Sequence, residues 1–248
     1  MIVINNLIKT YNNRAVVDIP HLRIRQATVT GVVGNNGAGK TTLFRLLLDL
    51  VRANEGEVLS QGQDVAEAES WKSYTAAYLD ETFLPGYLTP EEYFYFVGKL
   101  HRLSKTEVNA RLQGIDTFLG EGVLNSGKYI RDLSRGNQAK VGISACILQK
   151  PAALILDEPF ANLDPTSQLM LVDMLRQLSD TYGMTILVSS HDLNHVTGLC
   201  NWILLMERGT IIKDIDTGAD TLQELAAYFK TSIFSNNSFF SARADVRR

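Results

Sequence analysis

Cysteine is nearly missing from this sequence. The two present, Cys146 and Cys200, stand far apart in apolar surroundings and form no CxxC pattern. A disulfide framework is therefore excluded, and both read as reduced core residues of a cytoplasmic chain. Long hydrophobic runs are missing too. Although 45% of the 248 residues are hydrophobic, no uninterrupted stretch approaches the ~18 residues of a membrane span. The leucine-rich segment that follows residue 40 is broken by Arg45 and Asp49. Any membrane role must then use spans supplied by another chain. Nor is there an excess of one charge: 24 Lys and Arg face 27 Asp and Glu, a net charge of −3. That balance excludes broad nucleic-acid binding by charge alone, and no nucleic-acid partner is expected. Met1 to Asn6 has neither a basic start nor a long apolar run, so no leader is expected. No internal repeat is visible. The length suits one large α/β domain, or one domain with an inserted lobe.

What is present centres on Gly34-Asn35-Asn36-Gly37-Ala38-Gly39-Lys40-Thr41-Thr42, which fits G-x-x-x-x-G-K-[ST]. The apolar, β-branched segment Ala27 to Val33 before it reads as a buried strand, and Leu43, Leu46, Leu47 and Leu50 after it fall at helical spacing. Strand, glycine loop and helix are the context this motif needs. Glycines let the backbone curl so that several N–H groups face one phosphate chain at the positive end of a helix. Lys40 adds a charge for the β- and γ-phosphates, and Thr41 offers a hydroxyl to Mg²⁺.

Elsewhere short strands alternate with helices. Asn12-Asn13 reads as a hairpin tip, with Tyr11 beside it as an aromatic able to stack on a base, or as a plain sheet-surface tyrosine. Gly56 to Asp64 reads as a short strand and turn. Tyr74 to Leu79 reads as a strand that ends at Asp80-Glu81-Thr82, acids that reach a metal-bound phosphate or simply form a solvated loop. Thr89-Pro90-Glu91-Glu92 and Ser104-Lys105-Thr106-Glu107 are capping-box helix starts. A helical insertion therefore begins near 85, runs to about 135, and with the next helix reaches about 150. Its aromatic run, Tyr93 to Phe96, is too wide for one helix face, so part of it suits a partner helix. Leu133-Ser134-Arg135-Gly136-Asn137-Gln138 opens the next helix, with Ser134 as N-cap and Gly136 allowing close approach.

Ala153-Leu154-Ile155-Leu156-Asp157-Glu158 reads as a buried parallel strand delivering two carboxylates at its C-terminal edge, where open α/β sheets bind ligands. Asp157 is placed to hold Mg²⁺ and Glu158 to polarise an attacking water. Asn162-Leu163-Asp164-Pro165 caps a helix running through Leu169, Val172, Leu175 and Leu178 to Gly183. Met184 to Ser189 is the next buried strand and delivers His191 to the same edge. His191 and His195 are four apart, but the HDLNH run lacks the glutamate of HExxH, which disfavours zinc. Trp202 to Met206 and Thr210 to Ile215 form a hairpin, Thr221 to Lys230 a last amphipathic helix, and 231–248 a loose polar tail.

Taken together, these motifs resemble the nucleotide-binding subunit of ATP-binding-cassette (ABC) transporters over roughly residues 1–215. Gly34 to Thr42 is similar to the Walker A loop, Leu133 to Asn137 to the LSGGQ signature, and Leu154 to Glu158 to the Walker B strand with its glutamate. Asn162 to Asp164 is similar to the D-loop, and His191 to the switch histidine. Tyr11 falls at the adenine-stacking aromatic and Glu81 at the glutamine of the Q-loop. Three residues depart from the pattern: Glu81, Arg135 and Asn137.

The resemblance implies an α/β P-loop NTPase (RecA-like) core, with a small antiparallel β subdomain and an inserted α-helical subdomain, over residues 1–230. It implies an ATPase using ATP and Mg²⁺, with Lys40, Thr41 and Asp157 holding the nucleotide and metal and Glu81 near the metal. Ser134 and Gly136 would close over the γ-phosphate from a second copy, with Asp164 beside them, in a head-to-tail homodimer. A separate membrane-spanning permease is the implied partner, docked near Glu81 and Phe94 on the helical lobe at the inner face of the membrane. The short cassette with Glu81 and Arg135 leans toward export. A soluble ABC ATPase acting on ribosomes or DNA is the alternative; such proteins carry two cassettes or a long coiled-coil insertion, and neither is seen here. A small-molecule kinase would need no signature-like helix.

Overall fold

The computed structural model describes residues 2–236, with side chains to residue 229. Strands β1 (Ile2–Tyr11) and β2 (Arg14–Arg23) form a hairpin turned at Asn12 and Asn13, both with positive φ. Asparagine tolerates that conformation, which suits the twist of a tight hairpin. β3 (Val29–Val33) leads to helix α1 (Lys40–Leu47), and β4 (Glu55–Ser60) and β5 (Gln63–Asp64) return to the hairpin. β6 (Thr75–Tyr78) precedes the helices α2 (Pro90–Leu100), α3 (Lys105–Gln113), α4 (Asp116–Leu119) and α5 (Arg135–Leu148). Then follow β7 (Ala153–Leu156), α6 (Pro165–Tyr182), β8 (Thr185–Ser190), α7 (Leu193–Leu199), β9 (Trp202–Glu207), β10 (Thr210–Asp216) and α8 (Thr221–Asn236).

Two sheets result. One is antiparallel in the order β2-β1-β4-β5; the other has the order β10-β9-β3-β8-β7-β6. In the second, β6, β7, β8, β3 and β9 run parallel and only β10 is antiparallel. The fold is the expected α/β arrangement of a P-loop core, a small antiparallel sheet and a helical lobe between β6 and β7.

Alternation along the buried strands decides which layer each side chain joins. Ile155 of β7 and Leu187 of β8 face α1, whose Leu43, Phe44, Leu46 and Leu47 also pack on Ile4, Leu7 and Ile19 of the small sheet. α1 is thus sandwiched between two sheets, which is why its sequence is so rich in leucine. Leu154, Leu156, Ile186 and Val188 face the other way, onto α5, α6 and the helical lobe.

Local chemistry sets the lobe's boundaries. Thr89 Oγ1 accepts from the Glu92 N–H at 3.3 Å while Glu92 Oε2 accepts from the Thr89 N–H at 2.9 Å. Ser104 and Glu107 repeat the pattern at 3.2 and 2.8 Å. Each box satisfies two helix-end donors that would otherwise lack partners.

Four expectations are corrected. α1 ends at Leu47, so Leu50 lies beyond the helix and is 51% exposed. On α6 the buried face runs through Leu171 and Leu175, leaving Leu169 68% exposed. Phe94 is fully buried in the core and offers nothing to a partner, whereas its neighbour Phe96 is exposed. The last helix continues past Lys230 to Asn236; the remainder of the expected 231–248 tail lies outside the described residues.

Candidate active site

The parallel strands β3, β7 and β8 end side by side, and each hands its next residues to the same edge of the sheet. β3 delivers the loop Gly34–Gly39. That loop is pinned from outside: Gly209 N–H donates to Ala38 O at 2.8 Å, and Asp18 N–H to Gly209 O at 2.8 Å. Gly39 has φ +111°, and a Cβ there would stand 2.5 Å from Val16 O, so both backbone angle and space demand glycine. Leu43 N–H then bonds Gly39 O at 2.8 Å and α1 begins. The loop, together with Val16 and Glu158, surrounds a cavity of about 210 Å³ lined by Asn36, Gly37, Ala38, Gly39, Lys40, Thr41 and Thr42. Asn35 lies at the loop's other side, where its carbonyl accepts from Ala38 N–H at 3.0 Å.

Lys40 is only 6% exposed. Its ammonium donates to Gly34 O at 2.7 Å and lies 3.4 Å from Glu158 Oε1. Thr41 Oγ1 donates to Asp157 Oδ2 at 2.6 Å, and Ser189 Oγ donates to Asp157 Oδ1. The same Ser189 oxygen accepts the Glu158 N–H at 2.8 Å. Burial pushes the Asp157 carboxyl up from its ordinary range, against the two hydroxyl bonds. Glu158 adopts φ +46°, a left-handed turn that swings its side chain off the strand line toward His191, whose Nδ1 lies 2.8 Å from Glu158 Oε2. A lysine, two hydroxyls, two carboxylates and an imidazole are thus joined by hydrogen bonds and an ion pair in one cluster at a helix N-terminus.

The remaining predicted site residues lie apart from it. Among the described residues, no hydrogen bond or ion pair joins Ser134, Gly136 or Tyr11 to the cluster. Ser134 caps α5, accepting the Asn137 N–H at 3.3 Å. Asp164 caps α6, and the Ser167 hydroxyl and N–H hold its carboxyl below the usual range. Tyr11 is half-exposed at the end of β1 with Lys9 over its ring at 5.1 Å. Glu81 gives its carboxylate to Asn162, whose Nδ2 donates to it at 2.5 Å. Among the described residues no three His, Cys, Asp or Glu side chains gather as a metal cluster. His195 turns the other way from His191, stacking on Phe160 with Nε2 3.2 Å from Gln168 Oε1.

Sequence reasoning missed Ser189, which ties both acids together. Its signal was a hydroxyl pair, Ser189-Ser190, following the apolar Ile186, Leu187 and Val188 at the end of a strand. It also missed Asn162 as a bonded side chain.

The fold and this cluster define a P-loop nucleotide-binding protein. A family model described as ABC transporter matches residues 17–161. An uncharacterised ABC transporter ATP-binding protein of Bacillus subtilis (strain 168), YhaQ, is 33% identical over 84% of this chain and 69% of its own length. The ABC transporter ATP-binding protein NatA of the same organism is 30% identical over 80% of each chain. Among solved structures, a dimeric post-hydrolysis state of the ATP-binding cassette MJ0796 bound to ADP and Pi superposes with a TM-score of 0.78 at 20% identity, covering 88% of this chain and 100% of that one. The ATP-binding subunit of an ABC transporter superposes at 0.81 and 22%, covering 96% and 100%. The chain belongs to the ABC transporter family, as an ATP-binding, ATP-hydrolysing protein of ATP-driven transport. No helix of the described residues is long and apolar enough to cross a membrane.

Proposed function

We propose that this chain is the ATPase subunit of an exporter, working as an ATP-closed homodimer beneath a separate membrane-spanning permease at the cytoplasmic face. The observation that carries the reading is the Lys40–Glu158–His191 and Thr41–Asp157–Ser189 cluster at the mouth of the glycine loop. Its donors fit the nucleotide and Mg²⁺. A buried ammonium 3.4 Å from the Glu158 carboxylate can accept a phosphate chain in its place. The Thr41 hydroxyl and Asp157 carboxylate, 2.6 Å apart, are the hard oxygen ligands that Mg²⁺ takes. Bound Mg²⁺ would neutralise developing charge on the phosphates.

The chain's own groups then divide the work. Lys40 leaves Glu158 for the phosphates. Glu158, released, accepts the proton of the attacking water, and His191, whose Nδ1 lies 2.8 Å from Glu158 Oε2 in the resting chain, trades that bond for one donated to the charge developing on the transferred group. Ser134 and the backbone of Gly136 come from the second copy, which explains why neither meets the cluster within one chain. Asp164, at the N-terminus of α6, belongs to the same junction in this reading, and Tyr11, half-exposed, offers its ring to the base.

One groove suits the proposed permease. A groove of about 370 Å³ between core and lobe is lined by Leu50, Trp71, Phe83, Leu84 and Tyr93, with Phe83 56% exposed. An apolar helix end from the partner would cover it. This replaces Phe94 as the expected contact. The lean to export rests on Glu81 and Arg135. A relative named for Fe(3+) ions import, FbpC of Escherichia coli O157:H7, is 26% identical.

Tagged Glu158→Gln chain, extracted from native membranes in mild detergent with ATP, is expected to bring down a multi-spanning protein at near-equal stoichiometry. Recovery with ribosomes or DNA instead would overturn the transport reading.

Asp157 gives a second test. Its raised carboxyl means that the folded chain holds this proton more tightly than the unfolded one. The group therefore favours folding below the ordinary carboxylate range, and that contribution is lost as pH rises through the shifted value. At pH 7 the buried charge is a cost that Asn lacks. Asp157→Asn is expected to raise the thermal midpoint of the nucleotide-free chain by about 2–4 °C and to remove the further rise that Mg²⁺ adds with ATP. A lowered midpoint with the Mg²⁺ effect intact would contradict the assignment.

A further inference from the structure

Asn162 sits where three elements meet. Its Nδ2 donates to Glu81 Oε1 at 2.5 Å. Its carbonyl oxygen lies beneath Gly136, 2.6 Å from where a Cβ would stand, so only glycine lets the first turn of α5 approach it. Glu81 opens the short 3₁₀ turn Glu81–Phe83, through which the chain leaves β6 for the helical lobe. That turn is fixed by Asp80, whose Oδ1 accepts the Thr82 N–H at 2.7 Å. Asn162 itself follows Glu158 in a run of tight turns: Ala161 N–H bonds Glu158 O at 3.2 Å and Leu163 N–H bonds Phe160 O at 3.2 Å. Gln168 Nε2 anchors the run from α6, donating to Phe160 O at 3.0 Å. One residue of the core thus touches the lobe at both ends, where the chain enters it and where α5 begins.

We propose that Glu81 is a positioning residue acting through Asn162. Its carboxylate holds the Asn162 side chain, which fixes the backbone under Gly136 and sets the pose in which Ser134 and Gly136 meet nucleotide on a second chain. The inference rests on the homodimer reading above. It assigns the acid at position 81 to a contact within the chain: Oε1 accepts from the Asn162 amide.

The direction of the bond supplies the test, because Glu81 accepts and Asn162 donates. Asn162→Asp removes the donor and sets two carboxylates face to face. Glu81→Gln alone keeps an acceptor oxygen. Combined, Glu81→Gln and Asn162→Asp reverse the direction and restore the bond. Each change is made in the Glu158→Gln chain, and ATP-dependent dimerisation is followed by sedimentation, with Mg²⁺-ATP binding measured separately at monomer concentrations.

Asn162→Asp is expected to raise the ATP concentration needed for half-dimerisation about tenfold, since like charges brought together are strongly disfavoured. Nucleotide and Mg²⁺ affinity of the monomer stay unchanged. Glu81→Gln alone, where a neutral hydrogen bond replaces a charged one, stays within about twofold of the parent, and the combined chain, which again pairs one carboxylate with one amide donor, returns to within about threefold. If Asn162→Asp dimerises like the parent, or the combined chain remains as poor as Asn162→Asp, the positioning role is wrong. A shift in the Mg²⁺ dependence of monomer binding on Glu81→Gln would make residue 81 a metal ligand and overturn the inference. Failure of the Glu158→Gln parent itself to dimerise would strike the homodimer reading, and this inference with it.

Discussion

Glu158→Gln is expected to slow steady-state ATP hydrolysis by about 10²-fold or more, the scale of losing a positioned general base. The change is close to isosteric. It keeps the left-handed backbone at φ +46° and the N–H bond to Ser189 at 2.8 Å, so the turn that aims residue 158 survives. What goes is the capacity to take a proton. ATP binding is expected to persist or tighten, because the Lys40 ammonium, 3.4 Å from Glu158 Oε1 in the resting chain, no longer has an anion to leave. Bound ATP that is not hydrolysed should hold the dimer closed, visible as a doubled mass in sedimentation with Mg²⁺-ATP. Turnover within tenfold of the unmodified chain would place the base elsewhere.

Lys40→Ala acts one step earlier. The ammonium is buried, and in the resting chain its partners are the Gly34 carbonyl at 2.7 Å and Glu158. Glu158 retains His191 without it, while the buried Gly34 carbonyl, in the loop beyond β3, loses the ammonium it accepts from. Phosphate does need it: a charge-assisted bond in a dry site is among the stronger polar contacts, and its loss should weaken ATP binding on the order of 10²-fold. Equilibrium binding of a fluorescent ATP analogue reads this directly. Binding within a few-fold of the unmodified chain would detach Lys40 from the phosphates.

Much of this site was legible because its signals are local. The Gly34–Thr42 loop announces its own backbone needs, and the two capping boxes at Thr89 and Ser104 are written in four residues each. The acids after Leu156 could be placed at a sheet edge because a run of four apolar residues has few other fates in an α/β chain. What was not legible depended on packing. Tyr93, Phe94, Tyr95 and Phe96 cover the whole circumference of a helix, so only the fold decides that Phe94 is core and Phe96 is surface. Leu50 and Leu169 obeyed helical spacing, yet one falls past the helix end and the other on its outer face. Ser189 bonds Asp157 across 32 residues, and Asn162 bonds Glu81 across 81. No window of sequence contains such pairs. The helix past Lys230 was read as tail because its residues are polar, and composition does not say where a helix stops.

The composite site is the central claim: Lys40, Thr41, Asp157 and Glu158 from one copy, Ser134 and Gly136 from the other. Mixing two inactive chains tests it most directly. Lys40→Ala destroys the loop end, and Ser134→Arg blocks the α5 end with a bulky cation while leaving its own loop intact. Each alone should be silent. In a one-to-one mixture half the dimers are hybrids, and each hybrid holds one site built from two undamaged halves. Hydrolysis should therefore return to roughly a quarter of the unmodified rate, as expected for two equivalent sites related by a two-fold axis. A mixture as silent as its parts would contradict the account, as would a Ser134→Arg chain that hydrolyses ATP unaided.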